Sequence, residues 1–391
     1  MKIYIIPAWY PKNENDVTAS FFRHQAHALA KRGHDITVIH IEPISFARLF
    51  RQTKHEVRLW QDGNVRTFFH KVVVPIPGKL ADWQDNYLSN LYCKIIRDHI
   101  AEDKESGFPA PDVLHAHVSH SCAYYCLRAS KQLKTPLVVT EHYSGLLLGT
   151  ATEREYRRVH DTIENADAFI FVGSNFQKTL CKKLKTTKET FVIPNMVDTN
   201  YFEIKQTKNE KFTFLTACHL KKYKSVDLVI CTFYKAFQNI DNVFLNIAGT
   251  GEELSELKEL VKEFKLENRV SFLGKYSRED SKHLFSQADA FVLTSMVETF
   301  GIVYIEALSS GVPCIGTKGQ GADDIINESN GFTVKYGDID ELADRMRELY
   351  ENHAHYDPKT IRKHCVEKFD TNAVCGEIEK MYNNVLKKKN K

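Results

Sequence analysis

The sequence predicts an α/β fold of two doubly wound domains with a central cleft. Three observations carry that reading. Strand-sized apolar runs alternate with stretches of helical period, as in parallel sheets covered on both faces. The alternation pauses at a polar stretch, residues 198–211, and then restarts. The chain has 391 residues, about twice the ~100–200 of one domain.

In chain order, residues 3–6 read as the first strand. The apolar run ends at Pro7, too early for the core of a signal peptide, so a mature N-terminal strand is expected. Residues 21–32 read as a helix closed by Gly33, at the position that favours a left-handed residue. Further strands are expected at 36–41, 113–115, 137–140, 168–172 and 190–193. Helices are expected at 124–133, 153–165 and 177–185. Residues 42–111 are less regular and are expected to shape substrate choice. After the polar stretch, which reads as a linker, strands fall at 213–217, 243–247, 270–273, 291–293 and 314–316. Helices fall at 226–237, 254–264, 277–287 and 302–308. Ser277, with Asp280 three residues on, is a capping-box-like start. Gly311, Val312 and Pro313 turn the chain into its last short strand, and the tail from about 338 reads as helical.

Composition removes several classes. Hydrophobic residues make up 43% and charged residues 26%, which excludes disordered, collagen-like and low-complexity chains. Lys and Arg number 53 against 50 Asp and Glu, too even for a dedicated nucleic-acid binder. No apolar run approaches the ~20 residues of a membrane span. The 9 cysteines include no Cys-x-x-Cys pair, and their odd number argues against a disulfide framework. A reducing, cytoplasmic compartment is expected.

Ligands of doubly wound sheets sit at the carboxyl ends of the strands. The densest candidate there is the segment from Glu298 to Glu306. A loop carries Glu298, Thr299, Phe300 and Gly301, and a helix follows. Gly301 permits close approach of backbone to a ligand. The first helical turn offers unpaired N–H groups and a positive dipole end, which suit phosphate. Glu306, inside the helix, offers acceptor oxygens to sugar hydroxyls. Each glutamate alone reads as a solvated surface residue; the surrounding pattern singles them out.

That pattern resembles the Glu-x7-Glu signature of the family-4 retaining glycosyltransferases, which have the GT-B fold of two Rossmann-like domains. Ile193, Pro194, Asn195, Val197 and Asp198, with Tyr201 and Phe202, resemble the family's linker, with Met196 in place of the usual glycine. Ala248, Gly249, Gly251 and Glu252 resemble its glycine loop. Val270, Phe272, Leu273 and Gly274 match, as do the residues from Ala288 to Ser295. In the N-terminal half, Asp112, His115 and His117, then Thr140, Glu141 and His142, match two strand ends. The segment from Ala26 to Val38 matches the first helix and second strand. The resemblance covers nearly the whole chain and is weakest between 42 and 111.

The resemblance implies a transferase that moves a sugar from a nucleotide-diphosphate sugar, a UDP-sugar being favoured, with retention. The acceptor would be a glycan or lipid-linked precursor of a bacterial surface polysaccharide such as lipopolysaccharide or capsule. It implies an N-terminal domain over 1–195 that reclaims the last helix, 372–391, and a nucleotide-sugar domain over 196–371. Glu298 would contact the transferred sugar, Glu306 the ribose and Lys224 the diphosphate. Thr299, Phe300, Gly301, Gly249 and Gly274 would line the donor. His142 would face the sugar, with His117, Trp9 and Tyr10 on the acceptor side. No metal and no cofactor is expected: Lys224 and the helix dipole supply the charge, and Asp323 with Asp324 reads as a helix start.

Three departures stand out. His219 occupies the place of the family's diphosphate-binding arginine, and Ser225 that of a glycine. A neutral imidazole supplies neither permanent charge nor a bidentate fork, so either His219 is protonated or Lys221 or Lys222 contributes. The loop from Pro7 through Thr18 to Phe22 lacks glycine, with Ala19 at a glycine position. Lys178, Lys182, Lys183, Lys185, Lys188, Arg154, Arg157 and Arg158, with the terminal lysines to Lys391, read as a solvated face or as a contact with the anionic inner face of the cytoplasmic membrane. The rival readings are another GT-B activity, an epimerase or phosphorylase, and a non-catalytic sugar-nucleotide-binding partner subunit. A dinucleotide oxidoreductase lacks its Gly-x-Gly-x-x-Gly after the first strand.

Overall fold

The computed structural model describes residues 1–14, 16, 19–45, 56–74, 81–204 and 211–389. Thr18, residues 205–210 of the polar stretch and Lys391 therefore lie outside the described residues. The chain divides into two compact units. The first comprises Met1–Val172, Gln177–Ile193 and Cys375–Lys391, the second Gly173–Phe176 and Pro194–Val374.

The first unit begins with β1 (Lys2–Pro7), α1 (Ser20–Lys31), β2 (Asp35–Ser45), β3 (Glu56–Asp62), β4 (Val65–Val74) and α2 (Ala81–Glu105). It continues with β5 (Val113–His117), α3 (Tyr124–Leu133), β6 (Leu137–Glu141), the single turn α4 (Gly145–Leu148), α5 (Glu153–Asn165), β7 (Ala168–Phe171), α6 (Ser174–Leu184) and β8 (Phe191–Val192). The sheet order is β3-β4-β2-β1-β5-β6-β7-β8, parallel except where β3 runs against β4. All residues of β1, β5, β6 and β7 are buried, as strands covered on both faces must be. Phe22, Gln25, Ala26, Ala28 and Leu29 form the buried face of α1. Gly33, at φ +89°, stops that helix.

Residues 42–111 correct the sequence reading. They hold the β3–β4 hairpin, closed by Gly63 and Asn64 with Asp62 opposite Val65, and a helix of 25 residues. The period of α2 is hidden because three positions of its inner face, Ser89, His99 and Asp103, are polar. Leu88, Tyr92, Ile95 and Ile96 are buried together with His99 and Asp103. Asp103 is stabilised there by Lys2 at 2.5 Å and Arg66 at 2.8 Å, and His99 by His70 at 2.8 Å.

The second unit contains β9 (Phe212–Ala217), α7 (Val226–Phe237), β10 (Val243–Ala248), α8 (Leu254–Glu263), β11 (Val270–Gly274), α9 (Arg278–Ser286) and β12 (Ala290–Leu293). After these come α10 (Ile302–Ser309), β13 (Cys314–Thr317), β14 (Gly331–Val334), α11 (Ile339–Glu351) and α12 (Pro358–Phe369), then α13 (Thr371–Lys389), which from Cys375 on belongs to the first unit. Its sheet order is β11-β10-β9-β12-β13-β14, with every pairing parallel. Ser277 and Asp280 form a reciprocal capping box on α9. The helical tail is three helices: Asp357 caps α12 ahead of Pro358, and extended Asp370 separates α12 from α13. Residues 323–324 belong to a 3-10 turn (Gly321–Asp324). Their carboxylates accept hydrogen bonds from Ser174 and Asn175.

The front of the polar stretch is packed into this unit. Thr199 donates its hydroxyl to Asp370 at 2.7 Å. Arg362 donates to the carbonyls of Thr199, Phe202 and Ser309 at 2.6, 2.6 and 2.8 Å.

In the first unit, Glu379 on α13 accepts two hydrogen bonds from Arg32, at 2.7 and 2.8 Å, and one from His34 at 2.9 Å. The Arg32 hydrogen bond, outweighing burial and aided by His34, lowers its pKa to about 2. A depressed carboxylate stabilises the fold above its unfolded pKa and loses that contribution as pH falls. Allowing for partial exposure, Glu379→Gln should cost about 1–2 kcal/mol at pH 7. The gap should narrow as pH falls from about 4.5 towards 2, as read from urea midpoints.

Candidate functional site

The expected site residues of the second unit follow or end four strands, β9, β10, β11 and β12, whose exits backbone hydrogen bonds stitch together and to the exit of β13. Gly249 N–H donates to the Gly274 carbonyl at 2.8 Å, and Leu220 N–H to Thr250 at 3.1 Å. Met296 N–H donates to Tyr223 at 2.8 Å, and Gly321 N–H to Glu298 at 3.0 Å. Gln320 accepts the Glu298 N–H at 3.1 Å. A Cβ at Gly249 would lie 1.8 Å from the Cys218 carbonyl oxygen, and one at Gly251 2.2 Å from that of Leu220. These glycines let two loops touch. Gly274, at φ +74°, faces open space.

At the centre, Lys224 Nζ lies 2.5 Å from Glu298 Oε2, with side chains 15% and 13% exposed. Burial alone would lower the Lys224 pKa, but the charge and hydrogen bond of Glu298 more than reverse it, and the net shift is upward. Lys224 closes a 3-10 turn, and Ser225 follows at φ +52°. Ser225 thus holds the left-handed conformation that a glycine takes without strain. Gly301, at φ +93°, caps α10. A Cβ there would meet the Tyr304 ring at 2.5 Å and Glu298 Cγ at 3.2 Å, so glycine is what lets Glu298 lie over the helix start.

Glu306 lies one further turn into α10. Burial raises its carboxyl to about 7, against the pull of Arg278. Thr299 is buried beside this loop. The Phe300 ring is in the core, 5.9 Å from Phe369, so only the backbone of Phe300 is available to a ligand. His219 is exposed, as is Lys221, while Lys222 reaches Glu253 at 3.6 Å.

In the first unit, the exits of β5 and β6 bring His117 and His142 together, Nδ1 to Nε2, at 3.1 Å. Phe21 and Phe22 pack on the His142 ring at 5.1 and 5.0 Å. His117 is wholly buried and stacks on His115 at 4.3 Å. Burial holds the His117 imidazole well below the usual histidine range, and His115 falls to about 3 for the same reason. Trp9 is exposed and lies 6.0 Å from the Tyr143 ring.

The surface expected for Tyr10 is corrected. It is 3% exposed and packs 6.3 Å from Phe69, so it closes the loop base and offers no ring face to a sugar. Arg154 and Arg158 are corrected as free surface cations, since both bind Asp85. Among the described residues no group of three or more His, Cys, Asp or Glu is arranged to hold a metal ion. Sequence reasoning missed Glu141, Gln320 and Tyr223. Glu141 had a signal, a carboxylate in an otherwise apolar strand.

The raised Glu306 pKa has a measurable consequence. Between the unfolded pKa and about 7 the folded state binds more protons, so stability falls as pH rises. Glu306→Gln should melt like wild type at pH 4.5. It should be more stable by about 2–3 kcal/mol at pH 8. A stability gap that does not grow with pH would refute the shift.

Residues 18–201 match the family described as Glycosyltransferase Family 4, and residues 197–367 match Glycosyl transferases group 1. The chain is 26% identical to N-acetyl-alpha-D-glucosaminyl L-malate synthase of Bacillus anthracis, over 71% of this chain and 75% of that protein. It is 24% identical to alpha-monoglucosyldiacylglycerol synthase of Streptococcus pneumoniae, over 59% and 57%. Among solved structures it superposes on HepE of Anabaena in complex with UDP and glucose, with TM-score 0.71 and 20% identity over 98% and 99% of the two chains. A lipopolysaccharide outer core galactosyltransferase in its apo form gives TM-score 0.71 at 17% identity over the full length of both. Two Rossmann-like units, paired family matches that run from residue 18 to residue 367 and glycosyltransferase relatives place this chain in family 4 of the glycosyltransferases, with the GT-B fold.

Proposed function

We propose that this glycosyltransferase is retaining and uses a UDP-sugar. It passes the sugar to a glycan or lipid-linked acceptor of a bacterial surface polysaccharide. The Lys224–Glu298 contact at the start of α10 carries the reading. A lysine held cationic beside a helix N-terminus suits a departing diphosphate, because both ends of the charge separation are met without reorganisation. Solved neighbours with UDP, with UDP and glucose, and with UDP-glucose support the donor. The relatives named for lipopolysaccharide and diacylglycerol support the acceptor class.

Lys224 and the α10 N–H groups stabilise the negative charge that develops as the sugar–phosphate bond breaks. Glu298 holds the sugar hydroxyls and keeps Lys224 in place. Because Glu298 is engaged with Lys224, the reading assigns it no glycosidase-style nucleophilic role. The leaving diphosphate accepts the acceptor proton on the face it vacates, which gives retention. Glu306, poised between charge states, hydrogen-bonds the ribose. Thr299, the Phe300 backbone, Gly301, Gly249 and Gly274 line the donor, with exposed His219 and Lys221 beside the diphosphate. His142 hydrogen-bonds the transferred sugar, His117 backs it, and Trp9 offers a ring face to the acceptor. The reading needs no metal, since Lys224 supplies the charge. Lys178, Lys182, Lys183, Lys185 and Lys188 are exposed and fit a peripheral contact with the anionic inner face of the cytoplasmic membrane, each worth roughly 1 kcal/mol.

UDP should raise the melting temperature where ADP and GDP do not, since ligands that bind only the folded state stabilise it. Lys224→Ala should abolish that shift. Glu298→Gln should lower kcat roughly 100- to 1000-fold while the UDP shift persists. No shift with UDP at saturation, or near wild-type turnover in both variants, would overturn the reading.

A further inference from the structure

We infer that Glu141 is a positioning residue for transfer, a buried anion that fixes the His142 ring; the inference rests on the role proposed for His142. Glu141 ends β6 and is 0% exposed. Its Oε1 accepts the backbone N–H groups of His142 at 2.8 Å and Tyr143 at 2.7 Å. Its Oε2 accepts the Ser119 N–H at 2.7 Å and the Ser119 hydroxyl. One side chain therefore joins the exits of β5 and β6, the two strands that carry His117 and His142.

The site demands a carboxylate. Three of the four contacts come from backbone N–H groups, which can only donate, and these fall on both oxygens; the Ser119 hydroxyl completes the set. An ionised carboxylate accepts all four, whereas an amide would turn its NH2 against at least one backbone N–H. Burying a charge without a cation costs several kcal/mol unless hydrogen bonds replace its hydration, and here four donors do so.

The exit of β5 is strained. Val118, a β-branched residue, sits at φ +77°, a conformation that persists only where surrounding contacts hold it. A five-residue π-helical turn, Ser119–Ala123, follows it. Among the contacts that hold this bend are Val118 N–H to the Thr140 carbonyl at 3.0 Å, the Thr162 hydroxyl to the Ser119 carbonyl at 3.1 Å, and Glu141. With the bend in place, His117 meets His142 at 3.1 Å. Without the anion, the His142 backbone loses its anchor and the ring its fixed approach.

The test uses the full chain labelled with 15N-histidine, the His142 ring signals being assigned by their loss in His142→Ala. In Glu141→Gln, shown to be folded by thermal melting, the His142 signals should move. With UDP-glucose as the probe, UDP release should show kcat lowered roughly 10- to 100-fold. The KM should stay within about twofold. Glu141→Gln/His142→Ala should be no slower than His142→Ala, because residues acting through one another are non-additive. Unmoved His142 signals, or losses that add in the double variant, would overturn the inference while leaving the role of His142 standing. Wild-type turnover in His142→Ala would instead remove that role, and this inference with it. If Glu141→Gln does not fold, Ser119→Ala, which removes only the hydroxyl donor, runs the same comparison, and unmoved His142 signals there overturn the proposal.

Discussion

The contact on which the nucleotide-sugar half of the site depends is the ion pair of Lys224 with Glu298. Ion pairs removed from water are weak sources of stability, because desolvation consumes most of the attraction. This pair forms because backbone geometry delivers both groups. The Tyr223 carbonyl receives the Met296 N–H at 2.8 Å, one residue before Lys224 and two before Glu298, so the exits of β9 and β12 arrive in register. Gly301 then clears the space that Glu298 needs over α10. On the proposed reading, a contact so prepared, and so poor a stabiliser, serves a ligand, keeping a lysine charged where an anion would develop.

The two units use the same device with different groups. In each, the exits of neighbouring parallel strands are tied by a carboxylate, and a residue next to the tie is held at positive φ. In the second unit the tie is Glu298 and the strained residue Ser225, at φ +52°. In the first the tie is Glu141 and the strained residue is Val118, at φ +77°. Ala19, at the start of α1, repeats the conformation at φ +51° without glycine. Strained backbone persists only where surrounding contacts over-determine it, and such contacts surround Ser225 and Val118.

Most of the fold was legible because most strands here are continuous apolar runs and most helices have clean period and caps. The stretch from 42 to 111 was not, and the reason lies in its polar core residues. A helix whose inner face includes His99 and Asp103 shows a broken apolar stripe, and only the tertiary partners Lys2, Arg66 and His70 explain those residues. Short β14 was hidden because its four residues follow a turn and carry little pattern. In the site, Glu298, Glu306 and Lys224 were legible only through the family resemblance; Glu298 and Lys224 follow strands, and Glu306 lies inside the next helix. Burial was not. Tyr10 looks like a ring platform in sequence and Phe300 like a donor-lining residue, yet both rings are in the core, because aromatic side chains near a strand end serve packing as readily as recognition. Glu141 was visible as a residue and invisible as a clamp, since one pair of its donors comes from Ser119, 22 residues earlier in the chain.

The charge states of the two clusters differ in a way that fits their assigned partners. In the first unit burial keeps His115 and His117 neutral, His115 down to about 3. A neutral imidazole donates at one nitrogen and accepts at the other, which suits hydroxyl groups that do the same. In the second unit Lys224 is held charged, which suits a phosphate and repays its own desolvation only when an anion is near. Glu306, at about 7, is the exception on the charged side: burial leaves it half protonated at neutral pH. A carboxyl in that state donates as well as accepts, which on the proposed reading suits a ribose diol. On that reading the cation Lys224 faces the charged part of the donor, while the neutral imidazoles and Glu306 face parts that carry no charge.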